Sequence, residues 1–229
     1  MLINFPNPRT YNFPEWVLIG DYFYHAGDII YFGGELNPEN LKTAYRQGIF
    51  PWTIQGISLP WFCPEKRAIL EFGELHIPKS LRKLQKKNSY TLTLDKAFEK
   101  VISICSKIKR SGERGTWITE DFIAAYGALH AHNGAAHSVE VWEGNELVGG
   151  LYGVDAGGVF CGESMFHLRP NTSKLALLFL IEHLKSRGAA WLDVQVLTPH
   201  LKILGAREIA RDKFLEKLAE TQKKNLKLF

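Results

Sequence analysis

A chain of 229 residues, 45% hydrophobic and 23% charged, can bury a core as one large or two smaller domains, which excludes a disordered or fibrous protein. A formal net charge of +4 singles out no partner, and three widely spaced cysteines (Cys63, Cys105, Cys161) argue against a disulfide framework or a zinc site and for a reducing compartment. The segment MLINFPNPRTY has neither the basic nor the apolar region of a signal peptide, and the apolar run Leu175 to Ile181 is too short to span a bilayer, so a cytoplasmic protein with no membrane partner is expected.

Along the chain, Asn37-Pro38-Glu39 reads as a helix N-cap, a proline at the first helical position and an acid in the first turn. Gly48 closes that helix. The Phe50-Pro51-Trp52 and Leu59-Pro60-Trp61 segments read as aromatic loops, and a strand follows at Ala68–Phe72. A basic helix is predicted over Lys79–Lys87, a strand over Tyr90–Leu94 and a helix over Lys96–Lys107. A further helix starts behind a Thr119 cap and runs to about His130. Strands Ala136–Trp142 and Glu146–Val154 lead through an Asp155-Ala-Gly-Gly turn to strand Val159–Phe166. Helix Thr172–Arg187 stops at Gly188, and strand Trp191–Val196 follows.

Basic residues are clustered despite the modest total. Lys79, Arg82, Lys83, Lys86 and Lys87 form one group, Lys107, Lys109, Arg110 and Arg114 a second, and Lys223, Lys224 and Lys227 a third. Each could be a solvated surface, but three groups with a pI near 8.9 favour a polyanionic partner.

The stretch from Val159 to Gln195 carries the chemistry. Side chains alternate faces along a strand, so Trp191, Asp193 and Gln195 share one face and Leu192, Val194 and Val196 the other. Glu163 interrupts the preceding strand, out of phase with Gly162 and Ser164. An ionisable group in an apolar strand is costly unless paired or functional, so two such strands joined by one helix point to a site between them. Three meandering strands, a helix and another strand make a mixed α/β sheet in the order of the GNAT acyltransferase core. The helix-leading loop Leu168–Lys174 has no glycine, and its Pro170 removes a donor, which disfavours coenzyme A; no cofactor is expected.

The segments GGELNPENLKTAYRQGIFPW (33–52), WFCPEKRAIL (61–70), GTWIT (115–119), AYGALHAHNGAAHSVEVW (125–142), LVGGLYGV (147–154), FCGESMF (160–166), NTSK (171–174), DVQ (193–195) and LGAREIAR (204–211) occur in this order. Together they resemble the bacterial leucyl/phenylalanyl-tRNA–protein transferases over nearly the whole chain. The resemblance implies a small N-terminal domain (1–66) and a GNAT-like α/β (α+β) domain (67–229) with a mixed sheet flanked by helices. It implies an aminoacyltransferase that moves Leu or Phe, with Met a third candidate, from charged tRNA to the N-terminal Arg or Lys of a protein, marking it for degradation. A monomer is expected. GGELNP stands where the family more often has GGDLSP, and DVQ where it has DCQ. The proline-bound His167–Pro170 segment also departs from the family pattern.

By the same resemblance, Asp193 and Gln195 form a relay at the attacking α-amine. A carboxamide is no useful base, so Gln195 reads as an orienting acceptor, and the Asp193 carboxylate either supports it or stabilises the ammonium that develops during attack. Glu163 would receive the basic acceptor side chain, or else pair structurally with Arg169 or Lys174. Glu140 is a second candidate acid. Trp52 and Trp117 lie in loop-like contexts and would stack the terminal adenosine. Met165, Phe166, Leu177, Phe179 and Leu180, with the glycines of LVGGLYGV, are candidates for the Leu or Phe pocket or for ordinary core. Trp61, Trp142 and Trp191 read as packing residues. His130, His132 and His137 match no zinc spacing and read as packing or hydrogen-bonding groups. The alternatives left open are a GNAT-type acyl-CoA N-acyltransferase, a Fem-like aminoacyltransferase, and a tRNA-binding module without catalysis.

Overall fold

The computed structural model describes residues 1–19, 22–87, 89–108 and 116–229. The front of the chain forms strands β1 (Trp16–Ile19), β2 (Tyr22–His25) and β3 (Ile29–Phe32), helix α1 (Pro38–Arg46), and strands β4 (Phe50–Pro51) and β5 (Pro60–Phe62). The two aromatic segments read as loops therefore carry short strands, and β3, β5 and β4 pair into a three-stranded sheet. There follow β6 (Lys66–Glu71), α2 (Lys79–Lys87), β7 (Thr91–Leu94), α3 (Phe98–Lys107), α4 (Glu120–Asn133), β8 (Ala136–Glu143), β9 (Glu146–Asp155) and β10 (Phe160–His167). The chain then forms α5 (Thr172–Ser186), β11 (Trp191–Gln195), α6 (Pro199–Ile203), β12 (Arg207–Ala210) and α7 (Arg211–Gln222).

Among the described residues the main sheet has seven strands in the order β12-β6-β11-β10-β9-β8-β7. Every pairing is antiparallel except β10 with β11, the two strands on either side of α5. A parallel pair requires a crossover, which α5 supplies. Helices cover both faces. One core joins α1, α3, α4 and α7 through Tyr45, Val101, Tyr126 and Phe214; the other packs α5 through Leu177, Leu180, Ile181 and Leu184. The mixed α/β class is thus the observed one.

Helix α1 begins as its sequence dictates: Asn37 Oδ1 accepts the Asn40 N–H at 2.9 Å, and Pro38 occupies the first turn. It ends at Gly48, whose φ of +78° suits glycine. A Cβ there would approach Phe214 and Leu215 of α7 to 2.8 and 2.9 Å, so α1 is docked tightly as well as terminated. Helix α5 departs from its expected cap. Asn171 has a φ of +67° and its side chain makes no cap bond, while the Thr172 hydroxyl donates to Val148 O and Arg169 O. Among the described residues no helix is long and apolar enough to cross a membrane.

Candidate active site

The parallel strands β10 and β11 pair at Cys161 opposite Asp193, and near that point each carries a bulge. On β10 the register to β9 slips between Gly162 and Ser164, at Glu163; on β11 the register to β6 slips between Asp193 and Gln195, at Val194. A bulge re-aims the side chains around it. The Val196 N–H donates to Val194 O at 2.6 Å, closing a tight turn around Gln195, whose φ is +59°. Positive φ costs a residue with a branched-off side chain about 1 kcal/mol or more and persists only where its surroundings impose it. Here Asp193 Oδ1 accepts the Gln195 N–H at 2.9 Å.

Asp193 and its partner Arg67 are sealed from solvent, at 0% and 1% exposure. Arg67 Nε donates to Oδ1 at 2.9 Å and Nη2 to Oδ2 at 2.6 Å, a bidentate pair. Arg67 Nη1 donates to Gly48 O at 3.2 Å, and the guanidinium lies 4.6 Å from the Phe50 ring centre and 4.5 Å from that of Phe214. Burial alone would pull the guanidinium down, but Asp193 outweighs it and holds Arg67 above its ordinary range. Both oxygens of Asp193 therefore face protein, behind Gln195.

Glu163 lies on the other side of Gln195. Its Oε1 accepts from Gln195 Nε2 at 2.5 Å and from the Tyr45 hydroxyl at 2.5 Å. The Tyr126 hydroxyl is 3.3 Å from Oε2 and 2.6 Å from the Tyr45 hydroxyl. Burial pushes the Glu163 carboxyl up to about 7, against the pull of these three donors, and nearby Asp193 adds to the rise. Burial, then the Glu163 charge, raises both tyrosines well above their ordinary range, so they remain protonated donors.

Neither cation weighed as a structural partner for Glu163 reaches it. Arg169 pairs with Glu143 at 2.9 Å and Glu146 at 3.5 Å, and Lys174 donates to Asn171 Oδ1 at 3.0 Å. The second acid, Glu140, belongs to another network. Its buried carboxylate accepts from the Thr93 and Ser138 hydroxyls and from the N–H groups of Lys96 and Ala97, at the start of α3. That is a helix-capping duty, and it corrects the expectation that Glu140 helps at the site.

A cleft of about 960 Å³ opens in front of Gln195, lined by Phe13, Phe50, Trp52, Phe62 and Val196 among others. It brings together two sequence candidates, Gln195 and Trp52. Trp117 is beneath rather than beside them: it is 8% exposed and stacks on Trp52 with ring centres 4.9 Å apart and planes at 29°. The exposure expected of Trp117 is not found, because Trp52 and Phe122 cover it.

The pocket candidates divide between the two cores. Phe166 is buried in the core containing Tyr45 and Tyr126, whereas Leu177 and Leu180 are on the buried side of α5, in the second core, with Met165 and Phe179 half-buried against it. The glycines of β9 serve packing: a Cβ on Gly149 would collide with Thr172, and one on Gly153 with Cys161 O and the Phe160 ring. His130 and His132 bond to the carbonyls of Ala136 and Ala128, and His137 bonds to Asp95 and Gly134. Trp61 and Trp191 are buried as packing residues. The five cations of α2 and Lys223, Lys224 and Lys227 are exposed, while Lys109, Arg110 and Arg114 lie outside the described residues. Sequence reasoning passed over Arg67, Tyr45 and Tyr126. An arginine entering the apolar run Ala68-Ile69-Leu70 was a usable signal; the tyrosines carried none.

Two bulged strands of the mixed α/β sheet thus set a buried carboxamide, Gln195, against an aromatic cleft. Comparison with known proteins sharpens this. The model of the leucyl/phenylalanyl-tRNA protein transferase family matches residues 69–219, and that of its N-terminal domain matches 34–65. The leucyl/phenylalanyl-tRNA–protein transferase of Flavobacterium johnsoniae is 49% identical over 82% of this chain and 88% of its own length. That of Proteus mirabilis is 48% identical over 85% and 83%. A solved structure, L-PGS from Bacillus licheniformis, overlaps 64% of this chain and 45% of its own at 14% identity and a TM-score of 0.38, too distant to bear on the site. The chain belongs to the leucyl/phenylalanyl-tRNA–protein transferase family and is an aminoacyltransferase.

Proposed function

We propose that this protein transfers Leu or Phe from aminoacyl-tRNA to the α-amino group of proteins beginning with Arg or Lys, as a cytoplasmic monomer that marks them for degradation. The observation that carries the reading is the placement of Gln195 in the same cleft as Trp52. The Gln195 amide nitrogen is committed to Glu163, and its oxygen has no partner among the described residues. That oxygen accepts an N–H of the acceptor amine and orients its lone pair toward the ester carbonyl. An α-amine with a pKa near 7.7–8.0 is partly neutral at cellular pH, and an aminoacyl ester is already activated, so orientation carries much of the catalysis. The new C–N bond forms as the ester C–O bond breaks; the nitrogen loses a proton and the ribose oxygen gains one.

In this reading Asp193 is the support of Gln195, acting through the backbone N–H it accepts. The terminal adenosine stacks on the face of Trp52 left free by Trp117, which contributes as the platform beneath. The donor's apolar side chain lies against Met165 and Phe179, with Leu177 and Leu180 in the core behind them and Phe166 in the other core. Three donors already converge on Glu163, so the acceptor's basic side chain is better met by Glu15, Glu65 and Glu208 along the cleft. The exposed cations of α2 contact tRNA phosphates. The division between domains falls between residues 66 and 67.

The test mixes purified protein, labelled Leu-tRNA and a peptide beginning with Lys or Arg, with the N-acetylated peptide and labelled acetyl-CoA as controls. Label moves only from tRNA and only to the free amine. Gln195→Ala lowers turnover at least ten-fold while tRNA binding changes less than three-fold. No transfer from Leu-, Phe- or Met-tRNA by folded protein removes the proposal, as does normal turnover in the variant.

A further inference from the structure

A carboxamide can present either its oxygen or its NH2 to the cleft, and the two are not equivalent for an incoming amine. The choice at Gln195 is made by what stands behind it. An ionised Glu163 only accepts, so it takes the Gln195 NH2 and leaves the oxygen outward; a protonated Glu163 can donate, and then draws the amide oxygen inward. The orientation of Gln195 thus depends on Glu163 remaining a carboxylate in a site whose burial opposes it.

Two hydroxyls, from helices distant in sequence, are brought to that carboxylate. Each has one proton to give. Tyr45 spends its proton on Glu163 Oε1, so Tyr126, 2.6 Å from the Tyr45 oxygen and 3.3 Å from Glu163 Oε2, donates into the same chain. A donor that itself accepts a hydrogen bond is polarised and donates more strongly. Both phenols are 1% exposed or less, so water does not replace either when it is removed. The other ionisable groups nearby are Asp193 of β11, matched by Arg67 of β6, the Cys161 thiol of β10 and the Tyr152 phenol of β9. Asp193 pushes Glu163 toward its neutral form, as burial does. The work of opposing both falls to the tyrosines and to Gln195.

We propose that Tyr45 and Tyr126 are positioning residues for aminoacyl transfer: their hydroxyls keep Glu163 a carboxylate, which holds the Gln195 carboxamide with its oxygen toward the acceptor amine. The proposal rests on the transfer function given above. Neither tyrosine touches substrate.

The test is Tyr45→Phe, with Tyr126→Phe as the milder companion, read in two ways. First, kcat/KM is measured from pH 6.5 to 8.5 and expressed as the ratio of variant to wild type, in which titration of the acceptor's own amine cancels. Loss of a hydrogen bond to a charged group moves the Glu163 midpoint up by about one unit. The Tyr45→Phe ratio then falls about four-fold between pH 8.5 and pH 7, and the Tyr126→Phe ratio falls less. Loss of packing alone gives a ratio that is flat with pH. Secondly, the Glu163 carboxylate band is titrated by infrared difference against Glu163→Gln in protein without substrate. A midpoint near 7 that rises in Tyr45→Phe supports the proposal, and an unmoved midpoint overturns it, as does a flat activity ratio. If no transfer occurs in any sample the proposed function falls, while the infrared titration still decides whether the tyrosines hold Glu163 ionised.

Discussion

Replacing Glu163 by glutamine should stabilise the protein while disabling it, and the gain should depend on pH. A carboxyl raised from 4.5 to about 7 by folding binds its proton more tightly in the native state than in the unfolded chain. Its favourable contribution is complete below pH 4.5, is lost as the pH rises through 7, and becomes a constant penalty above that. At about 1.4 kcal/mol per unit the penalty is about 3 kcal/mol, an upper figure because the side chain is not fully sealed. Glutamine has nearly the same shape, still accepts from Tyr45 through its oxygen, and does not ionise. Urea denaturation followed by tryptophan fluorescence at pH 5 and pH 8.5 gives the comparison, with every other titrating group common to both proteins. Glu163→Gln should gain about 2–3 kcal/mol on wild type between those two pH values. A difference that stays constant within 0.5 kcal/mol, or a wild type that gains on the variant as the pH rises, refutes the placement of an ionised Glu163 in a desolvated site.

Asp193→Asn leaves Arg67 buried without its anion, which costs about 3–5 kcal/mol and lowers the calorimetric midpoint by on the order of ten degrees; a midpoint within two degrees of wild type would show that the pair is not the anchor it forms here. The two stacked tryptophans should separate by phenotype. Trp52→Ala weakens tRNA binding by about five-fold to a hundred-fold, the value of one stacked base, with little loss of stability. Trp117→Ala, which empties a buried position, lowers the melting temperature. Equal tRNA affinity in Trp52→Ala and wild type would take the adenosine off that ring.

Much of this architecture could be read in the sequence, because its signals are local. Asn37, Pro38 and Gly48 bound α1, and the alternation in Trp191-Leu192-Asp193-Val194-Gln195 announces a strand with a polar face. What escaped depends on distant partners. β4 and β5 are too short to show a period, and only their pairing makes them strands. Trp117 looks exposed until Trp52, from another part of the chain, lies on it. Glu140 looks like a site acid until the N–H groups of Lys96 and Ala97 arrive beneath it. Glu163, Asp193 and Gln195 stand out in the sequence as polar groups in apolar strands, but the side chains that hold them, Arg67 and the two tyrosines, do not.

The arrangement of these three side chains follows from where the sheet is irregular. An unbroken pair of strands would turn Glu163 and Gln195 according to pleat alone, and nothing in the pleat brings an amide nitrogen within 2.5 Å of a carboxylate on the neighbouring strand. The bulges at Glu163 and Val194 break that phase on both strands just beyond Cys161 and Asp193. Such geometry is strained at Gln195 and must be held. Asp193 holds it by accepting the Gln195 N–H, Arg67 fixes Asp193, and Gly48 O ties Arg67 to the end of the helix that carries Tyr45. The support of Gln195 and the donor to Glu163 are thereby linked through the end of α1. A displacement of α1 would be felt at both ends of the carboxamide at once.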